Sequence, residues 1–331
     1  MGIRILKGGM MTTVQDLGRY GYQSQGFSVA GVMDVRSFKI ANLLLDNPEN
    51  EAVLEITLIG PTLEFTSATI IAITGGDFQP TINGEPAPMY TALYMNKGDV
   101  LKFGSARTGS RGYIAFSSYL DIPVVMGSRC TNLKSGLGGF KGRKLEADDY
   151  IGFRIKRRYL PFFLSRKLDM DEFDQTEATL RVVMGPQDGM FSKQGIQTFL
   201  GSEYTVTNEF DRMGCRLEGP FIAPKKTSDG IAFGAIQVPS HGKPIILLAD
   251  RQTTGGYGKI ATVASVDIPK LVQRKTDDKI HFKAITVQEA QALYVEEMKE
   301  LDGLRKIIHQ PCKEVLDCRL VAKRLRKLFE E

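Results

Sequence analysis

PIILLADRQTTGGYGKIATVA occupies residues 244–264, and its pattern sets the fold class. An apolar run at 244–249 stops at Asp250; Arg251, Gln252, Thr253, Thr254, Gly255, Gly256, Tyr257, Gly258 and Lys259 follow, and a second apolar run begins. Short apolar runs separated by glycine-bearing segments read as strand, turn, strand. A solvated hairpin needs turn residues, yet it rarely needs an acid, a guanidinium, an amide, two hydroxyls and an ammonium within about ten positions. Polar groups are therefore held at the end of a strand.

The same grammar extends in both directions. Runs at 52–59, 69–74, 100–103, 112–116, 180–184 and 231–238 are rich in Val, Ile, Phe, Tyr and Thr, with turn signals such as Asn83-Gly84 and Gly60-Pro61 between them. The chain is predicted to be mainly β, as barrels or sandwiches, with few helices. One helix is expected after Asp34 as N-cap, with Phe38, Ala41 and Leu45 on one face and Asn47-Pro48 as its end. A second is expected over 286–306, where Val287, Ala290, Leu293, Tyr294 and Met298 recur at helical spacing. From Leu301 onward the tail reads as a basic amphipathic helix docked on the body or on a partner.

Composition changes sharply over 156–179, from basic to proline-aromatic to acidic through Asp169, Asp171, Glu172 and Asp174. The lobe boundary is placed there, giving units at 1–165, 166–285 and 286–331. Gly-Pro punctuation at Gly60-Pro61, Gly185-Pro186 and Gly219-Pro220 fits two related barrels.

The 331 residues, 42% hydrophobic and 24% charged, are an ordinary globular mixture. No apolar run approaches the ~18 residues of a membrane span, and the N-terminus lacks a signal-peptide core, so a cytoplasmic protein is expected. Four cysteines (Cys130, Cys215, Cys312, Cys318) form no Cys-x-x-Cys pair, and three histidines complete no zinc spacing, so no metal site is expected. Of these, His241 lies in a turn, His281 in a strand-like run and His309 in the tail, which supports no nucleophilic triad. The net charge of +5 is bunched at Arg154, Lys156, Arg157, Arg158, Arg166 and Lys167, and at Lys323, Arg324, Arg326 and Lys327. Without a recognisable module these read as a connector and a solvated helix face, not a nucleic-acid surface.

Near the N-terminus, residues 12–21 (TTVQDLGRYG) set Gln15, Asp16 and Arg19 among glycines that permit tight turns. Two readings stand for Asp16 and Arg19: an ion pair across the loop, or ligand contacts. A Walker A loop is excluded at Gly258-Lys259, because position 253 is threonine and position 260 isoleucine. Gly255 and Gly256, with Arg251 and Lys259, retain the means to hold a phosphate or carboxylate through amides and cations. Met298-Lys299 has acidic neighbours and is a poor biotin-carrier match, so no covalent biotin is expected.

Taken together, residues 13–21, Gly31-Val32-Met33-Asp34, Leu54-Glu55-Ile56-Thr57, Gly127-Ser128-Arg129, Gly185-Pro186-Gln187, Asp211-Arg212-Met213-Gly214 and 234–261 closely resemble the carboxyltransferase A/B family, also called allophanate hydrolase subunit 2 or KipA. The resemblance runs from Thr13 to about Leu271. It implies a pair of cyclophilin-like β-barrels with an active site in the cleft between lobes. For stand-alone chains it implies the C subunit of an ATP-dependent 5-oxoprolinase, acting with a KipI-like subunit and a LamB/YcsF-like hydrolase subunit, with Mg-ATP bound alone or jointly with the KipI-like protein. Other members are carboxyltransferase domains of urea carboxylase that use carboxybiotin, and a KipA-like regulator binding a KipI-type inhibitor is a third reading. This chain departs from the usual pattern at Gly258 (proline), Asp229 (glutamate after Ser228) and Cys130 (serine), none of which removes a charge from the expected cleft.

A lactam substrate bearing a carboxylate needs a cation and amide partners. Arg251 or Arg19 suits the first, and Gln237, Gln252 and Gln15 the second. Asp250 or Asp16 is the candidate for proton transfer, with Lys259 and Arg212 neutralising developing charge. Thr253, Tyr257, Met33 and Asp211 are expected beside the substrate and Gly255-Gly256 beside phosphate. Asp34 and Asn42 read first as a helix cap and a helix-surface amide.

Overall fold

A computed structural model describes residues 1–170, 173–185, 187–223, 226–311 and Ala322. Asp171, Glu172, Pro186, Cys312, Cys318 and the basic cluster 323–327 lie outside the described residues.

The chain forms two β lobes. In the first, a six-stranded sheet runs in the order Tyr150–Gly152, Gly2–Lys7, Thr62–Phe65, Val100–Lys102, Thr81–Ile82, Glu85–Pro86. It faces a five-stranded sheet ordered Met11–Gln15, Val53–Thr57, Thr108–Phe116, Thr69–Asp77, Ala92–Met95. Side chains alternate across a strand, so the second sheet buries two sets. Leu54, Ile56, Ile71, Ile73, Ile114 and Phe116 meet Ile3, Ile5, Leu63 and Phe65 of the first sheet. Val53, Ile70, Ala72, Tyr113 and Ala115 meet the helix α1, Val35–Leu44. Coverage on both faces is why 69–74 reads as an unbroken apolar run.

The predicted early helix is present. The Asp34 carboxylate accepts from the Ser37 amide at 2.9 Å as N-cap, and Phe38, Ala41 and Leu44 are fully buried. Asn42 is buried rather than on the surface, its amide donating to the Glu51 carbonyl at 2.8 Å.

In the second lobe the strands Glu177–Met184, Lys259–Val263, Ala235–Gln237, Ile245–Leu247, Gly214–Glu218, Tyr204–Phe210 and Lys279–Ile285 close into a barrel, the last running parallel to the first. Closure leaves no edge. The expectation of two barrels thus meets one closed barrel and one pair of facing sheets. Leu180, Val182, Val206, Leu217, Ile236 and Ile260 fill the barrel core, and Met33 of the first lobe is buried among them. The helices α2 (Lys193–Gly201) and α3 (Ile268–Val272) pack on this lobe, and the strands Lys226–Gly230 and Thr254–Tyr257 form a separate two-stranded ribbon.

The helix α4 is continuous from Val287 to Ile308, so no separate helix starts at Leu301. A capping box fixes its start: Thr286 Oγ accepts from the Glu289 amide at 3.2 Å while Glu289 accepts from the Thr286 amide at 2.7 Å. The expected apolar stripe is only partly the docked one. Val287 and Tyr294 are exposed, whereas Met298, Leu301, Leu304 and Ile308 pack on the α1 cluster.

Candidate functional site

The two lobes are clasped by buried charge. Asp211 organises a tight turn by accepting from the Met213 and Gly214 amides at 2.7 and 3.0 Å, which projects Arg212 inward. Arg212 Nε and Nη2 donate to the two Asp250 oxygens at 3.1 and 3.0 Å. Its Nη2 also donates to the Gly31 carbonyl, at 2.5 Å, and Nη1 pairs with Glu55 Oε1. Glu55 Oε2 accepts from the Met33 amide at 2.8 Å and from the Tyr113 hydroxyl at 2.9 Å. Burial would push the Arg212 guanidinium down, but the Asp250 and Glu55 carboxylates outweigh it and hold it above its ordinary value.

A second seam runs through Gln273. Its side-chain amide donates to Asp34 Oδ2 at 2.8 Å and to the Arg111 carbonyl at 3.0 Å, while its oxygen accepts from the Ser110 and Arg111 amides at 2.9 Å each. Burial pushes the Asp34 carboxyl up against the pull of its bonds from Ser37 and Gln273. Arg111 donates to Thr57 Oγ1 at 2.6 Å and lies 5.8 Å from the Phe210 ring centre across the lobes.

Asp16 and Arg19 do not pair with each other. Asp16 accepts from the Gly18 amide at 2.9 Å, the Ser128 hydroxyl at 2.6 Å and the Arg129 amide at 2.6 Å. Arg19, 1% exposed, donates to the Val125 and Cys130 carbonyls at 3.1 Å each. Among the described residues its Nη1 has no partner, and neither has the buried Gln15 Oε1. Gln15 Nε2 donates to Thr13 Oγ1 at 3.0 Å and to the Thr131 carbonyl at 3.1 Å.

On the second lobe, Arg251 donates to the Ile231 and Leu248 carbonyls at 3.0 and 3.2 Å and stacks 5.6 Å from the Phe233 ring centre. No carboxylate among the described residues pairs with it. Burial pushes its guanidinium down, and the opposing influence is the Tyr20 phenol of the first lobe. Lys259 Nζ, buried, pairs with Asp229 at 2.7 Å, and Gln187 bridges the two by donating to Asp229 at 3.0 Å and accepting from the Lys259 amide at 3.0 Å. Gln237 donates to the Tyr257 carbonyl at 3.0 Å.

The structure therefore brings Asp250, Arg212 and the Met33 backbone together at the lobe junction, with Asp16, Gln15 and Arg19 on the first lobe and Lys259, Gln237 and Tyr257 around the ribbon. Both Asp250 oxygens are held by Arg212, and the Met33 side chain belongs to the barrel core. Gln252 and Asp211 are exposed, and Thr253 accepts from the Ile231 amide at 3.0 Å through its carbonyl. Gly255 and Gly256 lie in the paired ribbon, where a Cβ at Gly255 would meet Gln237 Nε2 at 2.7 Å. Residue order alone does not single out Glu55, Tyr113, Arg111 or Gln273 as site residues. Glu55 carries a signal, a charge within the apolar run Val53-Leu54-Glu55-Ile56; Gln273, at the end of α3, carries none.

Cys130 and Cys215 are buried free thiols. Among the described residues no group of three or more His, Cys, Asp or Glu side chains is placed to hold a metal ion, and no helix is long and apolar enough to cross a membrane.

The chain is 33% identical over 317 residues to the C subunit of 5-oxoprolinase from Escherichia coli (strain K12), covering 93% of this chain and 99% of that one. It is 32% identical over 302 residues to the protein of the same name from Haemophilus influenzae, covering 90% and 96%. Among solved structures, the Kluyveromyces lactis urea amidolyase superposes with a TM-score of 0.84 at 26% identity, over 96% of this chain but 20% of the amidolyase. The family model for the carboxyltransferase domain, subdomain A and B, matches residues 25–284, and the chain belongs to that family.

Proposed function

We propose that the chain is the C subunit of an ATP-dependent 5-oxoprolinase, opening 5-oxo-L-proline to L-glutamate with a KipI-like subunit and a LamB/YcsF-like hydrolase subunit. The observation that carries this reading is the end-to-end match to two 5-oxoprolinase C subunits, against coverage of 20% of the urea amidolyase.

The site's chemistry supports it. Amide resonance makes a lactam carbonyl a poor electrophile, and ATP supplies the phosphoryl group that turns its oxygen into a leaving group. Arg251 makes no ion pair among the described residues and sits on an aromatic face beside the first lobe's Tyr20, which suits a guanidinium receiving the substrate carboxylate. Gln237 spends its amide N–H on the Tyr257 carbonyl, leaving its oxygen to accept the lactam N–H. Lys259, released from Asp229, neutralises charge developing on the carbonyl oxygen. Asp250 acts through Arg212, holding the lobes that form the cleft.

The test is ATP-dependent glutamate release from 5-oxoproline by the co-expressed complex, with and without this chain. Loss of glutamate only on omission supports the reading; glutamate unchanged on omission removes it. The urea amidolyase likeness favours a second reading, carboxyl transfer from a biotin carried on another protein, and dependence of the reaction on biotin separates the two.

A further inference from the structure

Residues 132–144 read Asn-Leu-Lys-Ser-Gly-Leu-Gly-Gly-Phe-Lys-Gly-Arg-Lys. Within this loop Gly138, Gly139, Lys141 and Gly142 have φ of 68°, 54°, 56° and 69°, with Phe140 between them outside that region. Changes of backbone hand over successive residues turn neighbouring amides toward one concavity, the geometry of an anion nest. The loop is closed by the Leu137 amide donating to the Asn132 carbonyl at 3.1 Å and the Gly142 amide to the Gly138 carbonyl at 2.8 Å. The amides of Gly138, Gly139, Phe140 and Lys141 donate to no group among the described residues.

Beneath the loop lies Arg19. A Cβ on Gly138 would stand 2.6 Å from Arg19 Nη2 and 2.3 Å from the Cys130 carbonyl oxygen, so only glycine lets the loop rest there. Arg19 is 1% exposed, and among the described residues its guanidinium bonds only to carbonyls and leaves Nη1 without an acceptor. A buried cation with neither a carboxylate partner nor full hydrogen bonding is destabilising until an anion meets it. Lys134, Lys141 and Lys144 add exposed positive charge on the same loop, whereas Arg143 is already committed to Asp149 through two 2.7 Å bonds.

We propose that the 134–142 loop, backed by Arg19, is a phosphate-binding site: its free amides and the Arg19 guanidinium receive a phosphate group, and Lys134 and Lys141 steer it. Gly255 and Gly256 are a poorer cradle, because their strand is paired with Lys226–Gly230 and neither has a left-handed φ. That the phosphate belongs to ATP rests on the proposed 5-oxoprolinase reading; phosphate binding itself does not.

The experiment uses the full-length chain labelled with [15N]glycine, titrated with inorganic phosphate, ATP or adenosine against chloride at equal ionic strength. The assigned amides of Gly138, Gly139 and Gly142 shift saturably with phosphate and with ATP, stay still with adenosine, and Gly255 and Gly256 do not move. Binding to phosphate alone marks the source as free phosphate, and tighter binding of ATP marks a nucleotide. Lys134→Glu combined with Lys141→Glu, at two exposed positions that leave the fold intact, weakens phosphate binding at least tenfold, as does Arg19→Met. Should Arg19→Met fail to fold, the double lysine variant decides alone. Unmoved loop amides at millimolar phosphate, an equal response to adenosine, or phosphate affinity unchanged in the lysine variant overturns the proposal. If the loop binds phosphate but the co-expressed complex releases no glutamate, the site stands and the 5-oxoprolinase reading falls.

Discussion

Replacing Arg212 by Met removes the one cation shared by Glu55 of the first lobe and Asp250 of the second. At about 3 Å and an effective dielectric of about 20, each carboxylate attracts the guanidinium by ~5 kcal/mol before desolvation is counted. Burial consumes most of that gain, so the pair is weak evidence for net stability, but removing one partner strands charge and costs about 3–5 kcal/mol. With an unfolding entropy of ~2 cal/mol/K per residue, that is a fall in Tm of roughly 4–7 °C for a chain of this length. Glu55→Gln should cost about 3 kcal/mol by the same argument, since the Met33 amide and the Tyr113 hydroxyl then compete for a neutral acceptor. The double variant should cost at least ~1.5 kcal/mol less than the sum, because the two residues share one interaction. Arg216→Met is the internal control: its pair with Glu209 has side chains 46% and 67% exposed, and such pairs contribute about 0–1 kcal/mol. The assay is urea unfolding of the full chain followed by far-UV circular dichroism, with thermal scans beside it. Additive single variants, or an Arg212→Met cost no larger than that of Arg216→Met, would refute the view that buried charge clasps the lobes.

Met33→Ala should destabilise the protein by about 2–4 kcal/mol, because the side chain is fully buried in the barrel core; a urea midpoint unchanged from wild type contradicts that placement. Burial pushes the Asp267 carboxyl up, but hydrogen bonds from Arg181 and Lys270 outweigh it and hold it below the ordinary carboxylate range. A depressed folded pKa gives stability that is present above the unfolded value of about 3.9 and lost as pH falls through the folded one. The stability gap between wild type and Asp267→Asn should therefore be constant above about pH 5 and narrow below pH 4; a gap that widens on acidification reverses the sign. Arg251→Gln should raise the KM for 5-oxoproline about 10–100-fold with a smaller change in kcat. A change confined to kcat in the reconstituted complex would move Arg251 from carboxylate binding to chemistry.

Alternation and punctuation made the β architecture and α1 legible, since burial on one or both faces of a strand writes itself directly into residue order. Asp34 shows where such reading stops. Its role as N-cap follows from its place before Phe38 and Ala41, but its bond from Gln273 at 2.8 Å joins residues 239 apart and leaves no local pattern. Val287 and Tyr294 show the complementary limit: helical spacing identified α4, yet which of its faces docks depends on where α1 lies. Residues 13–21, 31–34, 211–214 and Asp250, far apart in sequence, touch in the fold: the Val32 amide donates to the Asp16 carbonyl at 2.9 Å and Arg212 reaches Gly31 and Asp250. Which cations were committed to protein carboxylates could not be read from a sequence with 43 basic and 38 acidic residues, because pairing is set by three-dimensional neighbours.

The buried and half-buried arginines differ in whether a protein carboxylate already meets them. Arg212, Arg166, Arg181 and Arg143 each meet a carboxylate, and their charge is spent within the protein. Arg19, Arg111, Arg251 and Arg274 are buried and meet no carboxylate among the described residues. Burial pushes two of these four guanidiniums down against the pull of acids at longer range, Arg111 against Glu55 and Arg274 against Asp278 and Asp174. Among the described residues Arg251 has a phenol opposite it, Arg19 has carbonyls and one empty donor position, and Arg111 Nε is likewise without an acceptor. An enzyme that must hold both a carboxylate and a phosphate needs two cations uncommitted before the ligands arrive. In the proposed reading Arg251 at the strand end receives the carboxylate and Arg19 under the glycine loop the phosphate, on different lobes joined by the Glu55–Arg212–Asp250 clasp. Loosening the clasp should then weaken turnover more than either binding step alone, because each ligand would still find its own arginine.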